Sequence, residues 1–291
     1  MNLRTNRDKL VKISVMGQID SPTKYITYNI SYDGVPRVLP GIGGITYNVR
    51  VGDLACGWQA DHVEPGVSTK NFEKVEGRSS PNLAYNVLAC IGNEAIVVTG
   101  DAKGSRGYVI GKHGGIEHVL IDFPPEVLDK LVIGDKILVK AYGVGPELLD
   151  YPDIKVMNLS PELLNKMGIV AHKDKLQVPV THIIPAEIMG SGLGSDNAYR
   201  GDYDIQLFDE TVVKKYGLED LRLGDIIAIK DADTSFGRFY KKGAMTIGIV
   251  VHTNSYIAGH GPGVTSLLTS SDGRIIPKID PNANIKNYLG L

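Results

Sequence analysis

The stretch that decides the fold runs from Gly243 to Leu268 and reads GAMTIGIVVHTNSYIAGHGPGVTSLL. Its apolar run, Met245 to Val251, predicts a buried strand. The run ends at His252, and after a polar turn the chain continues as Gly259-His260-Gly261-Pro262-Gly263. Loops at strand ends often carry function, because a rigid sheet holds them while their polar groups stay accessible. We therefore expect a functional site at this end of the strand.

The distance between the two histidines of this stretch limits what they can do together. If Met245–His252 and Tyr256–His260 form a hairpin, the histidines stand about 13 Å apart, at roughly 3.3 Å per residue. Metal–nitrogen bonds are about 2.1 Å long, so this hairpin alone cannot place both rings on one ion. Either the chain bends at Gly259, or a group from elsewhere completes the site. The other interpretation is a Gly-Pro-Gly turn with an incidental histidine.

Turn residues and a recurring motif predict a mainly β protein. The chain has 34 glycines and 15 prolines in 291 residues, which favours many turns and few long helices. An apolar approach, a Gly-Asp pair and a new strand recur at Val49–Leu54, Leu131–Ile137 and Leu221–Ile226. Glycine permits a positive φ and aspartate bonds nearby backbone amides, so each copy predicts a sharp entry into a strand. We expect barrel-like or sandwich-like β units with a few short helices.

Helix signals and a domain boundary complete the predicted organisation. Short helices are expected at Pro81–Ala89, Glu126–Lys130, Pro161–Met167 with Ser160 as N-cap, and Thr211–Tyr216 before Gly217. Residues 149–175 combine prolines with little apolar patterning, which favours a boundary near residue 160. We predict two β-rich domains, residues 1–160 and 161–291, with the glycine-rich His loop in the second.

Candidate metal ligands cluster in the loop from Trp58 to Ser68, which holds the only tryptophan. Here carboxylate oxygens and an imidazole nitrogen lie side by side, a combination that suits zinc, manganese or iron. Together with the histidine at the end of the apolar run, the predicted metal ligands are Asp61, His62, Glu64 and His252. The competing interpretation is a Pro-Gly turn with a capping aspartate and a surface histidine.

Catalytic and ligand-binding candidates come from neighbouring loops. His260 and Asp233 are predicted as catalytic groups, with Asp233 as a general base at the acidic end of a strand. Glycines let the backbone approach a ligand closely, and a glycine-rich loop over residues 189–197 suits a lid or a phosphate nest. The predicted ligand-binding residues in these turns are Gly259, Gly261, Gly263 and Ser191.

Two further polar pairs receive mainly structural interpretations. Asp202 and Asp204 share one face if the chain is extended there, because side chains alternate along a strand. A solvated strand face is the favoured interpretation of that pair, with a cation site as the alternative. His113 and His118 flank a Gly-Gly turn, and on two strands they need not share a face. Their spacing does not match a metal pair on a helix.

Composition argues against several classes of protein. The net charge is -2, with acidic and basic residues interspersed, and nucleic-acid-binding proteins usually carry a basic excess. No apolar run reaches the roughly 20 residues of a membrane span, and the N-terminus lacks the apolar segment of a signal peptide. Two cysteines imply no disulfide framework. We expect a cytoplasmic homo-oligomer that binds a small molecule and neither nucleic acid nor membrane.

Several motifs together resemble a known family. The segments GWQADHVEPGVS (residues 57–68), GKHGG (111–115), GDYDIQ (201–206) and GHGPGVT (259–265) are similar to a bacterial family of about this length, classed as a domain of unknown function. The resemblance covers nearly the whole chain and implies no activity. The Gly-Asp strand entries and glycine-rich His loops also resemble those of metal-dependent acetamidases and formamidases. This likeness covers no long motif, so it is only an analogy.

Two hypotheses of function follow. The first is a metal-assisted hydrolase, or a related lyase, acting on a small polar substrate and using a divalent zinc, manganese or iron ion. The second is a non-catalytic protein that binds a small ligand or forms an oligomeric scaffold. The first hypothesis predicts that the His62 loop and the loops of His252 and His260 converge on one concave pocket.

Overall fold

A computed structural model describes residues 3–76, 80–192 and 197–291, and it confirms a mainly β fold with short helices. Residues 193–196 of the predicted lid loop lie outside this description. The elements of the first half are β1 (Ile13–Ile19), β2 (Asn29–Ile30), β3 (Pro36–Arg37), β4 (Ile45–Thr46), β5 (Gly66–Lys70), α1 (Pro81–Leu88), β6 (Glu94–Val97), β7 (Arg106–His113), β8 (His118–Asp122), α2 (Pro125–Leu128) and β9 (Lys136–Ala141).

The second half begins with a short strand and ends with a short helix. Its elements are β10 (Ile154–Val156), α3 (Pro161–Lys166), β11 (Val170–His172), β12 (Lys175–Val180), β13 (His182–Pro185), β14 (Met189–Gly192), β15 (Tyr203–Ile205), α4 (Glu210–Tyr216), β16 (Ile226–Asp233), β17 (Phe239–Val250), β18 (Gly263–Ser270), β19 (Ile275–Ile279) and α5 (Ile285–Leu289). Single 3-10 turns occur at Arg7–Lys9, Pro22–Lys24 and Ala186–Ile188.

Strands of the first half form a closed antiparallel barrel. The hydrogen-bonded order β1-β9-β6-β7-β8-β5 closes because β5 also pairs with β1, and β4 extends β5 at the rim. Closure satisfies the backbone groups that an open sheet leaves at its edges. Within the barrel, β7 and β8 are joined by a tight turn that places His113 directly opposite His118.

The second half is organised around β17, the strand predicted from the apolar run that starts at Met245. β17 pairs with β16 on one side and β18 on the other, in a sheet of order β13-β16-β17-β18-β15-β14. A smaller sheet, β11-β12-β19, lies apart from it in the pairing scheme. β15 pairs with the start of β18 at Tyr203↔Val264 and Asp204↔Gly263, which sets Asp204 beside the glycine-rich loop.

The suggested hairpin of residues 245–252 with 256–260 is wrong. Residues 256–260 form no strand, because the backbone around Asn254 bonds instead to the loop of the first half. Asn254 N–H donates to the Ala55 carbonyl at 2.8 Å, and Thr253 N–H donates to the Val63 carbonyl at 3.0 Å. The chain after β17 is therefore held against the Asp61–Glu64 loop.

The recurring Gly-Asp motif has one geometry in all three places. The backbone N–H groups of Arg50, Val132 and Arg222 each donate to the aspartate three residues later, at 2.8, 3.0 and 2.9 Å respectively. The glycine before each aspartate, Gly52, Gly134 or Gly224, has a φ of 98°, 96° or 81°. The second and third turns lead directly into β9 and β16, as predicted. The strand predicted after the first copy is wrong, because Leu54 forms only an isolated bridge with Arg222.

The apolar core is shared between the halves of the chain. One buried cluster contains Val67 and Val109 from the barrel and Ile249 and Leu268 from the second sheet. The side chain of Val251 also approaches Gly111 so closely that a Cβ there would lie 2.6 Å from its Cγ1. The end of β7 and the residues just after β17 therefore meet. His113, the last residue of β7, and His252, two residues after β17, face a common space.

Candidate metal centre

Two loops are tied together at the centre of this space. His62 N–H donates to the Asn254 carbonyl at 3.2 Å, and Val63 N–H donates to the Thr253 hydroxyl at 2.8 Å. Asp61 accepts from the Ser255 hydroxyl at 2.7 Å. These bonds fix the positions of His62 and His252 relative to each other, and their ring centroids lie 5.0 Å apart.

Three side chains, here called the outer group, converge beside an open cavity: His62, Asp204 and His260. His62 Nε2 lies 3.1 Å from His260 Nδ1. Asp204 Oδ2 lies 2.9 Å from His260 Nδ1 and 3.8 Å from His62 Nε2. His62 and Asp204 are buried, whereas the His260 side chain is 33% exposed. The separations match ligand atoms that surround one ion at about 2.1 Å.

A second set, here called the inner group, lies next to the first: His113, Asp202 and His252. All three residues are buried. His252 Nε2 lies 2.7 Å from Asp202 Oδ2, and the rings of His113 and His252 have centroids 4.3 Å apart. Both sets therefore combine two imidazoles and one carboxylate, a ligand mixture suited to zinc, manganese or iron.

The other nitrogen of each buried ring is held by an acceptor. Nδ1–H of His62 donates to Asp61 at 2.9 Å, and Nδ1–H of His113 donates to Glu64 at 2.6 Å. Nδ1–H of His252 donates to the Thr253 carbonyl at 2.8 Å. In a neutral ring the proton then sits on Nδ1, so Nε2 is unprotonated and its lone pair can bind a metal ion. An acceptor behind a metal-binding histidine fixes its tautomer and orientation in the same way.

Glu64 joins the inner group to a buried polar network. Its carboxylate accepts from the Gly43 N–H at 2.7 Å and faces His118 Nδ1 at 2.9 Å. His118 Nε2 lies 3.3 Å from Asp20 Oδ2, so carboxylates face both of its nitrogens. Burial alone would raise the pKa of Glu64, but His118 and His113 hold this pKa well below its usual value. Glu64 is therefore an ionised acceptor that orients rings.

Electrostatics within the two sets favour cationic character. Burial alone would lower the pKa of His252, but the facing carboxylates of Asp202 and Asp204 raise this pKa well above its usual value. Burial lowers the pKa of His113, and the nearby charge of His252 lowers it further. Burial alone would also lower the pKa of His62, but Asp204 and Asp61 raise it. The metal-free site thus favours positive charge at His252 and at His62, a role that a divalent ion can take over.

Backbone geometry supports this arrangement at two positions. A Cβ built on Gly263 would lie 1.9 Å from Asp202 Oδ2 and 2.2 Å from His252 Nε2, so only glycine leaves these atoms room to converge. His62 has a φ of 53°, which is uncommon outside glycine and costs about 1–3 kcal/mol. Such strain persists where surrounding contacts impose it, and it concentrates at functional sites.

A cavity of about 410 Å³ opens beside the outer group. Tyr25, Thr27, Asn29 and Ser191 supply polar groups to its wall, and Ile42, Ile116 and Ile257 supply apolar surface. No lysine or arginine occurs among the described residues that line it. The size and mixed lining suit a small molecule with both polar and apolar parts.

The structure places the predicted site residues in three ways. It brings together the rings of His62, His252 and His260, whose nitrogens are possible metal ligands, and it places Ser191 in the cavity wall. Asp61 and Glu64, predicted as ligands, each contact the Nδ1 atom of a histidine ring, that of His62 and that of His113 respectively. Among the glycines, Gly261 donates its N–H to Asp204 at 3.3 Å, the Gly259 carbonyl accepts from Ser191 N–H at 2.6 Å, and Gly263 leaves space for the inner group.

Asp233, predicted as the base, lies elsewhere. Its carboxylate accepts from the Ser235 N–H at 2.9 Å, and it is not among the described residues that line the cavity. It is buried at the end of β16, after a register shift between Lys230 and Ala232. The shift changes how side chains alternate beyond it, which the sequence pattern does not reveal.

Three residues of the two groups, His113, Asp202 and Asp204, received mainly structural interpretations from the sequence, with a cation site as the alternative for the two aspartates. For the two aspartates, the sequence did contain a signal, because their alternate spacing placed both on one face of a strand. That face is buried at the junction of β15 with the glycine-rich loop, rather than solvated. For His113 the signal was the hairpin register, which sets it opposite His118 and turns both rings toward Glu64.

Comparisons with known proteins define the class to which the chain belongs. Residues 28–165 match the family described as "Domain of unknown function (DUF4438), N-terminal", and residues 166–289 match its C-terminal counterpart. The chain is therefore a member of the DUF4438 family, in agreement with the resemblance seen in its motifs. No curated protein matches it.

A solved structure shares the whole fold. The crystal structure of TM1086 is similar to this chain with a TM-score of 0.92 and 50% sequence identity, covering 99% of each chain. Within the part of the chain that the structure describes, no helix is long and apolar enough to cross a membrane.

Proposed function

We propose that this protein is a metal-assisted hydrolase that acts on a small polar substrate. The observation that carries the proposal is the outer group. Two imidazole nitrogens and one carboxylate oxygen converge within 4.8 Å of one another at the wall of a cavity. Three protein ligands beside an open position are the usual arrangement of a catalytic zinc site. A divalent ion held there supplies Lewis acidity and an activated water.

The residues of the chain have distinct tasks in this proposal. His62, Asp204 and His260 hold the ion, and Asp61 keeps the His62 ring in the ligating tautomer. The hydroxyl and amide groups in the cavity wall orient polar parts of the substrate, and its isoleucines contact apolar parts. Among the described residues, the wall contains no lysine or arginine. It therefore lacks the positively charged groups that usually bind phosphate esters. Small amides and esters therefore fit better than phosphate esters, and a related lyase substrate is the alternative.

Ion binding is the first test of the proposal. Metal-free protein titrated with Mn²⁺ or Zn²⁺ should gain thermal stability, because an ion that binds only the folded chain stabilises it by mass action. His260→Ala should lose most of this gain while keeping the fold, since His260 is partly exposed in a loop. The matched control is His172→Ala, an exposed histidine on β11, which should behave as wild type.

The opposite result would favour the second hypothesis. A protein without ion-dependent stabilisation, inert toward amides and esters and more stable at higher concentration, would be a ligand-binding or scaffold protein. Exposed apolar side chains in the first half of the chain give this interpretation a physical basis, and they include Tyr28, Ile30, Val38 and Tyr47. Within the proposal, this surface also favours a homo-oligomer, and free Cys56 and Cys90 suit a cytoplasmic location.

Ion affinity should rise with pH. Burial alone would lower the pKa of His62, but the carboxylates of Asp204 and Asp61 raise this pKa in the folded, metal-free chain, so a proton bound there stabilises the fold. That contribution is complete below about pH 6.5, the unfolded value, and is lost as pH rises through the folded value. An ion must displace such protons, so apparent Mn²⁺ affinity should rise about tenfold per pH unit for each proton released. Calorimetric titrations at pH 6 and pH 8 measure this, and equal affinities would contradict it.

A further inference from the structure

We propose that the inner group holds a second divalent ion, and that Asp204 bridges this ion to the one held by the outer group. The inference rests on the proposed function, and it makes the centre dinuclear. It concerns His113, Asp202 and His252, all of which are buried. His113 and Asp202 still contribute to the cavity wall, whereas His252 is not among the described residues that line it.

Two buried atoms that lack a hydrogen bond are the first observation that supports the second ion. His252 Nε2 and Asp202 Oδ2 are both buried, and neither has a hydrogen-bond partner among the described residues. The two atoms lie only 2.7 Å apart, yet their orientation is not that of a hydrogen bond. Buried polar atoms in folded proteins almost always find a partner. Two such atoms directed toward one point have the arrangement of ligands around a cation.

The orientation of the inner group is fixed from behind. Asp202 Oδ1 accepts from the Gly114 N–H at 2.6 Å, which leaves Oδ2 facing inward. Glu64 and the Thr253 carbonyl hold the Nδ1 atoms of His113 and His252, at 2.6 and 2.8 Å. Each inner ligand is therefore held from behind at one atom, and the other atoms of Asp202 and His252 face each other at 2.7 Å. Such outer contacts commonly accompany metal ligands, because they keep the ligand atoms in place.

Asp204 connects the two groups through its two oxygens. Oδ2 lies 2.9 Å from His260 Nδ1 in the outer group. Oδ1 lies 3.6 Å from His252 Nε2 in the inner group. One carboxylate thus presents one oxygen to each set of nitrogens, which is the geometry of a bridging ligand. Ions in dinuclear hydrolytic sites are about 3.5–4 Å apart.

The two ion positions differ in their exposure to the cavity, and this difference assigns them different roles. The outer position borders the cavity through the partly exposed His260 and can reach a substrate. The inner position is enclosed by buried residues. The inner ion therefore acts through Asp204, whose charge and position it sets, and through the field that it adds at the outer ion. The carboxylates Asp202 and Asp204 offset part of the charge of two divalent cations.

Counting ions tests the proposal directly. Full-length protein, freed of metal by chelation, is loaded with Mn²⁺, and bound manganese is measured per chain. Two ions are expected in the wild type, with an exchange-coupled electron paramagnetic resonance signal. Asp202→Asn keeps the side-chain size and an acceptor for Gly114, and it should reduce the count to one and abolish the coupling. Circular dichroism confirms that this variant is folded.

The outcomes separate this inference from the proposed function. One ion per wild-type chain, without coupling, overturns the second site and leaves the hydrolase proposal standing. No bound ion overturns both. Crystals of the wild type soaked in Mn²⁺ give an independent measurement that needs no variant. Two anomalous peaks about 3.5–4 Å apart support the dinuclear centre, and a single peak beside His62 and His260 overturns it.

Discussion

Asp204→Asn should remove tight Mn²⁺ binding altogether and lower any hydrolytic rate on the order of 10³-fold. Asp204 is the described carboxylate that faces both groups, 2.9 Å from His260 Nδ1 and 3.6 Å from His252 Nε2. Asparagine has nearly the same size and can still accept from the Gly261 N–H. It lacks the negative charge that lets one side chain serve two cations. Both manganese content and amide or ester hydrolysis should therefore fall together.

Asp233→Asn is the matched control for this variant. Asp233 is also a buried carboxylate in the second sheet, and its contacts are to Ser235 and Thr269 rather than to the histidines. The control should keep its full ion content, even if it loses some stability. Normal ion binding by Asp204→Asn, together with loss in Asp233→Asn, would reverse our assignment and restore Asp233 as the functional carboxylate.

Gly263→Ala should abolish ion binding at the inner group through steric displacement alone. Its Cβ would lie 1.9 Å from Asp202 Oδ2 and 2.2 Å from His252 Nε2, so both ligands must move. Forcing a methyl group into a packed interior costs about 1–3 kcal/mol of folding free energy. We expect a folded but less stable protein whose manganese content drops to one ion or fewer. Thermal unfolding and metal analysis measure the two effects on the same sample.

Gly259→Ala provides the comparison for that variant. Gly259 has a φ of 82°, and a Cβ there would meet nothing within 4 Å. Alanine at this position therefore strains the backbone by about 1 kcal/mol without touching a ligand. It should lower stability and retain both ions. Equal metal loss in the two glycine variants would mean that general destabilisation, and not ligand displacement, explains the result for Gly263.

Local chemistry made part of the fold predictable. Ser160 caps α3 by accepting from the Leu163 N–H at 3.1 Å, and Gly217 ends α4 in a left-handed conformation, both as the residue types suggest. Two of the three Gly-Asp turns precede strands for a similarly local reason. The helix α5 was not predicted, although Asn284 caps it by accepting from the Lys286 N–H. A five-residue helix leaves too little periodic pattern to be recognised.

Long-range register made the rest of the candidate site unpredictable. The roles of Asp202 and Asp204 depend on the pairing of β15 with β18, and no residue near them in the sequence signals that contact. Glu64 stands two residues from His62 and was assigned the same role. The positive φ of His62 and the buried position of Glu64 send the two side chains to different partners.

The division of the two groups between the halves of the chain has a consequence for assembly. His62 and His113 belong to the N-terminal family segment, whereas Asp202, Asp204, His252 and His260 belong to the C-terminal one. Neither segment made alone contains either set of three. In the proposed centre, therefore, neither ion has its complete ligand set until both segments are made and have docked. Under that proposal, a truncated chain would hold only part of each set and should bind metal weakly.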